Sequence, residues 1–187
     1  MYIFNQYMKE NFMNHLNSLH DEYCSLKDTI NSSKIILLEK KLNYEFPEDI
    51  RLFLGIYRSV YFRDNCFFKF TENTDILLEK VSGYEKSITV EYLNGINPNN
   101  NHNDILEITR KYVSIKEDYL KDYIIIGGYT FGDLICLKRT EPEKNHIFYW
   151  DHEMLQGRLL YKMADSFYKF IMSIEIVDIW QIPSTSR

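Results

Sequence analysis

The run Ile124-Ile125-Ile126-Gly127-Gly128-Tyr129-Thr130-Phe131-Gly132-Asp133-Leu134-Ile135-Cys136-Leu137, followed by Ile147-Phe148-Tyr149-Trp150-Asp151-His152-Glu153, constrains the fold more than any other part of the chain. Short apolar runs rich in β-branched and aromatic residues, bounded by glycine and turn residues, read as strands. The segments 124–126, 134–139 and 146–150 are therefore expected in one sheet, with Glu141-Pro142-Glu143-Lys144-Asn145 as the turn joining the last two. Gly127, Gly128 and Gly132 read as structural, permitting positive backbone angles or close strand approach at a corner. Asp133, next to Gly132, is expected to accept backbone amides there. Trp150 reads as core, and Asp151-His152-Glu153 should emerge from the sheet edge, suited to capping or to partner contact.

Helices dominate the first part of the chain. Phe12, Leu16, Leu19, Tyr23 and Leu26 fall at helical spacing, which predicts an amphipathic helix over about residues 5–27. Ser32 or Ser33 can cap a second helix with the apolar face Ile35, Leu38 and Leu42. Pro47 suits the first position of a third, with Glu48 and Asp49 against the positive end of its dipole and Ile50, Phe53, Leu54 and Tyr57 as its buried stripe.

From Val60 the period moves toward two. Arg63-Asp64-Asn65 is a plausible turn before Cys66–Phe70, which predicts a hairpin. Ile88, Val90 and Tyr92 alternate with Thr89, Glu91 and Leu93, a strand with one buried face. Residues 97–103, mostly asparagine, read as a solvated loop whose Asn103 caps the next helix. Phe167, Phe170, Ile171 and Ile174 outline a closing amphipathic helix, and residues 183–187 an unstructured tail. The class is α+β, a single domain with helices packed on a largely antiparallel sheet.

With 187 residues the chain fits one domain able to bury roughly 70 % of its unfolded surface. A net charge of −5 argues against direct binding to a nucleic-acid backbone and suits a basic partner, while mild acidity also serves solubility alone. Cys24, Cys66 and Cys136 form no Cys-x-x-Cys pair, which fits a reducing compartment. The N-terminal residues MYIFNQYMKENFMNHL lack a basic start and a continuous apolar run, so no secretory signal is expected, nor is any spanning helix.

Asp133, His146, Asp151, His152 and Glu153 have the side chains of a metal site or of acid–base hydrolysis. Their spacing matches neither His-Glu-x-x-His, nor Gly-x-Ser-x-Gly, nor a phosphate loop. The expectation is no catalytic residue, no metal and no cofactor, with a metal-dependent hydrolase as the alternative from another class.

An apolar strand, glycines, Gly-Asp, a second strand and an aromatic-Asp-His segment, in this order, resemble the SUKH superfamily of cell-wall regulators and bacterial toxin-immunity proteins. Four further segments are similar to that family in the same order: Glu39–Leu54, Tyr92–Gly95, Asp104–Tyr112 and Ala164–Ile171. The family usually has a polar, glycine-rich turn after Phe53-Leu54, whereas this chain has Gly55-Ile56-Tyr57-Arg58-Ser59-Val60. The resemblance divides the chain into an N-terminal helical extension (1–32), the family domain (33–182) and the tail (183–187).

What the resemblance implies is a cytoplasmic, non-enzymatic immunity protein that occludes a cognate toxin domain, often a nuclease; a regulatory adaptor of the cell-wall kind is the alternative. The expected contact rim is Tyr129, Phe131, Asp133, Asp151, His152 and Glu153, with Pro47, Gly127, Gly128, Gly132 and Trp150 structural. No membrane partner is expected.

Overall fold

The computed structural model describes residues 4–20, 26–27, 29–78, 87–97, 103–129, 132–154 and 158–177. Its elements are α1 (Gln6–Leu19), β1 (Leu26–Lys27), α2 (Ser32–Leu42), α3 (Glu48–Leu54), β2 (Tyr57–Tyr61), β3 (Cys66–Lys69), β4 (Ser87–Thr89) and β5 (Tyr92–Asn94), then α4 (Ile105–Ile115), α5 (Glu117–Leu120), β6 (Tyr123–Gly128), β7 (Leu134–Lys138), β8 (Ile147–Trp150), β9 (Leu160–Ala164), α6 (Phe167–Met172) and β10 (Ile174–Ile176). Among the described residues, seven strands form a sheet in the order β1-β2-β5-β6-β7-β8-β9, and three form a smaller one, β10-β3-β4. The architecture is α+β, and the three apolar runs stand side by side as β6, β7 and β8, paired antiparallel with Ile124 opposite Leu137 and Cys136 opposite Phe148.

These strands are apolar without alternation because both of their faces are covered. On one face Ile124, Ile126, Ile135, Leu137, Ile147 and Tyr149 join a large core with residues of α1, α2, α3 and α6. On the other, Ile125, Leu134, Cys136, Phe148 and Trp150 pack with Ile108 of α4 and Leu120 of α5. The corner between α2 and α3 is tied by Arg51, whose Nε and Nη2 donate to Glu39 at 2.8 and 3.0 Å, while Glu39 Oε1 also accepts the Phe46 amide at 2.8 Å. A bidentate pair shared with a backbone amide holds both helices at a defined angle.

The first helix is shorter than its apolar spacing predicts. It ends at Leu19, because His20 turns extended (φ −77°, ψ 149°) to bridge Phe62, and Leu26 belongs to β1 opposite Ser59. Tyr23 lies outside the described residues. Phe12, Leu16 and Leu19 are fully buried as expected. The second helix is capped by Asn31, whose side chain accepts the Ser33 amide at 3.0 Å, rather than by Ser32 or Ser33, which already lie inside it. Pro47 stands one position earlier than expected, at the N-cap, where its carbonyl accepts the Arg51 amide at 3.0 Å. Tyr57, expected on the stripe of this helix, is buried but opens β2.

The hairpin predicted around Arg63-Asp64-Asn65 does not form, although the turn does, with the Cys66 amide bonded to the Arg63 carbonyl at 3.0 Å. Its two arms separate: β2 pairs with β1 and β5, while β3 pairs with β4 and β10. The strand predicted over 88–93 is likewise divided between the sheets. The Phe62 amide donates to the Glu91 carbonyl (2.8 Å) and the Val90 amide to the Cys66 carbonyl (3.2 Å), so the two crossing segments travel together. The burial alternation consequently shifts by one, and Leu93 rather than Tyr92 faces the large core.

In the asparagine-rich segment, Asn97 and Asn103 are buried, at 2 % and 7 % exposure, and residues 98–102 lie outside the described residues. Asp104, not Asn103, caps α4: its Oδ1 accepts the Leu106 and Glu107 amides while its Oδ2 accepts the Asn97 amide. A carboxylate can serve helix and loop together, which an amide side chain cannot do as fully. The closing helix ends at Met172, because Ile174 enters β10 opposite Phe68. The 183–187 tail lies outside the described residues.

Candidate functional site

Gly132 has φ +100°, a conformation nearly reserved for glycine, and it lets the chain turn between β6 and β7. The Tyr129 amide donates to the Asp133 carbonyl at 3.0 Å and the Gly132 amide to the Tyr129 carbonyl at 3.2 Å, closing that turn. Gly127 and Gly128 lie within β6 instead of at the corner, and their role is close approach: a Cβ on Gly127 would overlap the Tyr92 carbonyl oxygen of the neighbouring strand.

Strand register sets the rest. Leu134 pairs with Trp150, so Asp133 arrives beside the end of β8. Its Oδ1 accepts the His152 amide at 3.1 Å and lies 2.7 Å from His152 Nδ1, while its Oδ2 accepts the Tyr149 hydroxyl. Among the described residues, the one amide that the Asp133 side chain accepts comes from across the sheet, from His152. Asp133 clamps the β6–β7 turn to the end of β8. The carboxylate raises the pKa of the His152 imidazole, chiefly through this hydrogen bond. Burial and the same carboxylate push the Tyr149 hydroxyl far up.

Asp151 is 1 % exposed, and its Oδ1 accepts the Glu153 and Met154 amides at 2.9 and 3.1 Å. It shapes the turn and offers no outward carboxylate. Glu153 points out, with 61 % of its side chain exposed, and its carboxylate stands 4.0 Å from His152 Nε2. Met154, at positive φ (56°), is exposed beside it. The Tyr129 ring stands edge-on to Tyr149 with centroids 5.6 Å apart, and its buried hydroxyl has no hydrogen-bond partner among the described residues. Burial raises the pKa of this hydroxyl well above the usual tyrosine range. Phe131 lies outside the described residues.

The sequence reading missed Tyr149 as a clamp partner, because an aromatic inside an apolar strand signals core and nothing local reveals a hydroxyl aimed at a carboxylate across the sheet. Among the described residues, no group of three or more His, Cys, Asp or Glu is arranged to hold a metal. Both oxygens of Asp133, and Oδ1 of Asp151, are occupied by Tyr149, His152 and backbone amides. A cleft of about 370 Å³ lies instead by Tyr61, Arg63, Thr89 and Glu91, and another of about 420 Å³ by Lys9, Ile36, Arg51 and Leu52. Among the described residues, no helix is long and apolar enough to cross a membrane. The geometry suits a rigid, acidic-tipped surface.

Comparison with protein families finds a match to the SMI1 / KNR4 family (SUKH-1) over residues 29–173. Comparison with the curated proteins gives no match.

Proposed function

Because this chain belongs to the SMI1 / KNR4 family (SUKH-1), we propose that it is a non-enzymatic, cytoplasmic immunity protein that binds a cognate basic toxin domain and occludes its active site or substrate groove. The observation that carries this reading is the Asp133 clamp. The carboxylate is spent on fixing two chain segments together, leaving Glu153, His152 and Met154 displayed on a supported surface. Preorganised surfaces lose little entropy on association.

The net charge of −5 complements a toxin that must itself grip a polyanion such as nucleic acid. Occlusion needs an interface of about 1,600 Å², well within reach of a chain of this size. The test is co-expression with the toxin encoded by the adjacent reading frame. Rescue of growth, with isolation of a stoichiometric complex, supports immunity, and failure of rescue overturns it. A signalling protein recovered as the sole stable partner would move the chain to the regulatory-adaptor reading.

A further inference from the structure

The rim continues into a layer of aromatic rings on the sheet face that carries α4. Cross-strand register lines up Tyr61, Tyr92, Gly128, Leu134, Trp150 and Leu160 as one row across β2, β5, β6, β7, β8 and β9. The Tyr61 and Tyr92 rings lie 6.0 Å apart, Tyr112 of α4 meets Trp150 edge-on at 6.3 Å, and Trp150 lies 6.2 Å from His152. Gly128 makes room in this layer, since a Cβ there would stand 2.5 Å from the Tyr92 hydroxyl oxygen. The three tyrosines are half-buried.

Two observations show what the row is fit to take. Trp150 is 4 % exposed, and its buried indole N–H has no acceptor among the described residues. An orphaned buried donor is destabilising, and an acceptor supplied from outside would relieve it. The ring faces also attract cations: Lys111 Nζ already stands 5.6 Å from the Tyr112 centroid, while Glu153 projects from the end of the row beside His152.

We propose that the half-buried tyrosines of this row, Tyr61 and Tyr92, form the contact surface for an arginine-bearing segment of the partner protein. A guanidinium stacks on Tyr61 and Tyr92, and a backbone carbonyl of the same segment accepts the Trp150 N–H as the layer repacks slightly on binding. Arginine is favoured over lysine because its planar, weakly hydrated cation stacks on rings with little desolvation penalty. The inference rests on the binding role proposed above and adds the chemistry of contact.

The test uses the full chain with Trp180→Phe, which leaves Trp150 as the sole indole of the two in the sequence. It is titrated at low salt with a Gly-Arg repeat octapeptide and with its lysine and citrulline counterparts, following the Trp150 indole resonance. The arginine peptide should shift the N–H downfield and saturate, the lysine peptide should bind at least about threefold more weakly, and the citrulline peptide should not bind. Tyr61→Leu with Tyr92→Leu should weaken arginine-peptide binding by about tenfold, whereas Tyr92→Phe, which keeps the ring, should retain it. Equal binding of lysine and arginine peptides, or unchanged affinity in the folded double variant, overturns the proposal. So does an indole shift that depends on protein concentration without peptide, which would mean a second copy covers the row. Undiminished toxin neutralisation by a double variant that has lost peptide binding refutes the row as contact surface and leaves the immunity reading intact. Failure of the unaltered chain to neutralise removes the immunity reading, whatever the peptides do.

Discussion

Asp49, at the start of α3, accepts the amide of Tyr168, at the start of α6, with its Oδ2 at 2.7 Å, across 119 residues of sequence. Its Oδ1 accepts the Ile50 amide at 2.9 Å, and the side chain is almost wholly buried, at 2 % exposure for the residue. A residue whose position suggested only favourable contact with its own helix dipole therefore joins the first half of the chain to the last helix.

Replacing Asp49 by Ala should destabilise by about 1–3 kcal/mol, because a buried amide loses its acceptor. Asp49→Asn keeps one acceptor oxygen and should lose less. Burial raises the Asp49 pKa above its usual value despite the amide hydrogen bonds. A carboxyl with a raised folded-state pKa contributes stability that is full below the unfolded pKa and fades as pH rises through the folded one. The unaltered chain should thus gain on Asp49→Asn as pH falls from neutral toward the ordinary carboxylate range. Denaturant midpoints of both proteins across that range check the sign.

The Asp133 clamp makes a second pH prediction. In the unaltered chain His152 should titrate above the usual histidine range, and Asp133→Asn should return it toward that range, as read by imidazole proton shifts. The stability it lends is present below the ordinary histidine pKa and lost as pH rises through the raised one. Asp133→Ala should additionally cost about 1–3 kcal/mol by stranding the Tyr149 hydroxyl and the His152 amide. Tyr149→Phe, which removes only one donor, should cost about 0.5–1.5 kcal/mol.

The glycines should rank by what a methyl group would meet. Gly127→Ala meets the Tyr92 backbone oxygen and the Leu93 side chain, whereas Gly128→Ala meets chiefly the Tyr92 hydroxyl, which can swing away. The first should be the more destabilising in thermal unfolding. At Gly132 the His152 ring atoms leave 3.7 Å or more, so the penalty there comes from the backbone angle: Gly132→Val should lose at least about 1 kcal/mol.

Phe12 tests whether α1 is part of the folded unit, since the family match starts only at residue 29. Its ring is fully buried and lies 6.0 Å from Phe167 and 6.3 Å from Tyr168. Phe12→Ala should lower the unfolding free energy by about 3–5 kcal/mol. A shift within the error of the denaturant midpoint would make α1 an appendage.

Glu153 separates binding from stability. Glu153→Ala should leave the unfolding midpoint unchanged because the side chain is exposed, while Asp151→Ala should lower it by freeing the Glu153 and Met154 amides. With a basic toxin, Glu153→Ala should slow association at low salt, and the difference should shrink once the screening length falls to about 10 Å near 0.1 M.

By itself the sequence determined the sheet core and the kind of turn beside it. Strands covered on both faces must be apolar throughout, so Ile124–Ile126, Leu134–Leu137 and Ile147–Trp150 announce themselves, and a Gly-Asp pair between such runs marks a tight turn whose glycine takes positive φ. The apolar spacing of Phe12, Leu16 and Leu19, and of Phe167, Phe170 and Ile171, marked helices for the same reason: burial acts on a local period. Tertiary structure decided whatever depended on a distant partner. Residues 57–69 carry a strand, a turn and a strand, yet only the competing edges of β5 and β10 direct those strands to different sheets. Which polar residue caps a helix, Asn31 or Ser32, Asp104 or Asn103, was decided by where the chain bends into its neighbours. Asp133, Asp151 and Glu153 are interchangeable as letters. Register gave the first to Tyr149 and His152, the turn gave the second to two amides, and only the third was left facing water, because hydrogen-bond partners are assigned by three-dimensional proximity and not by order along the chain.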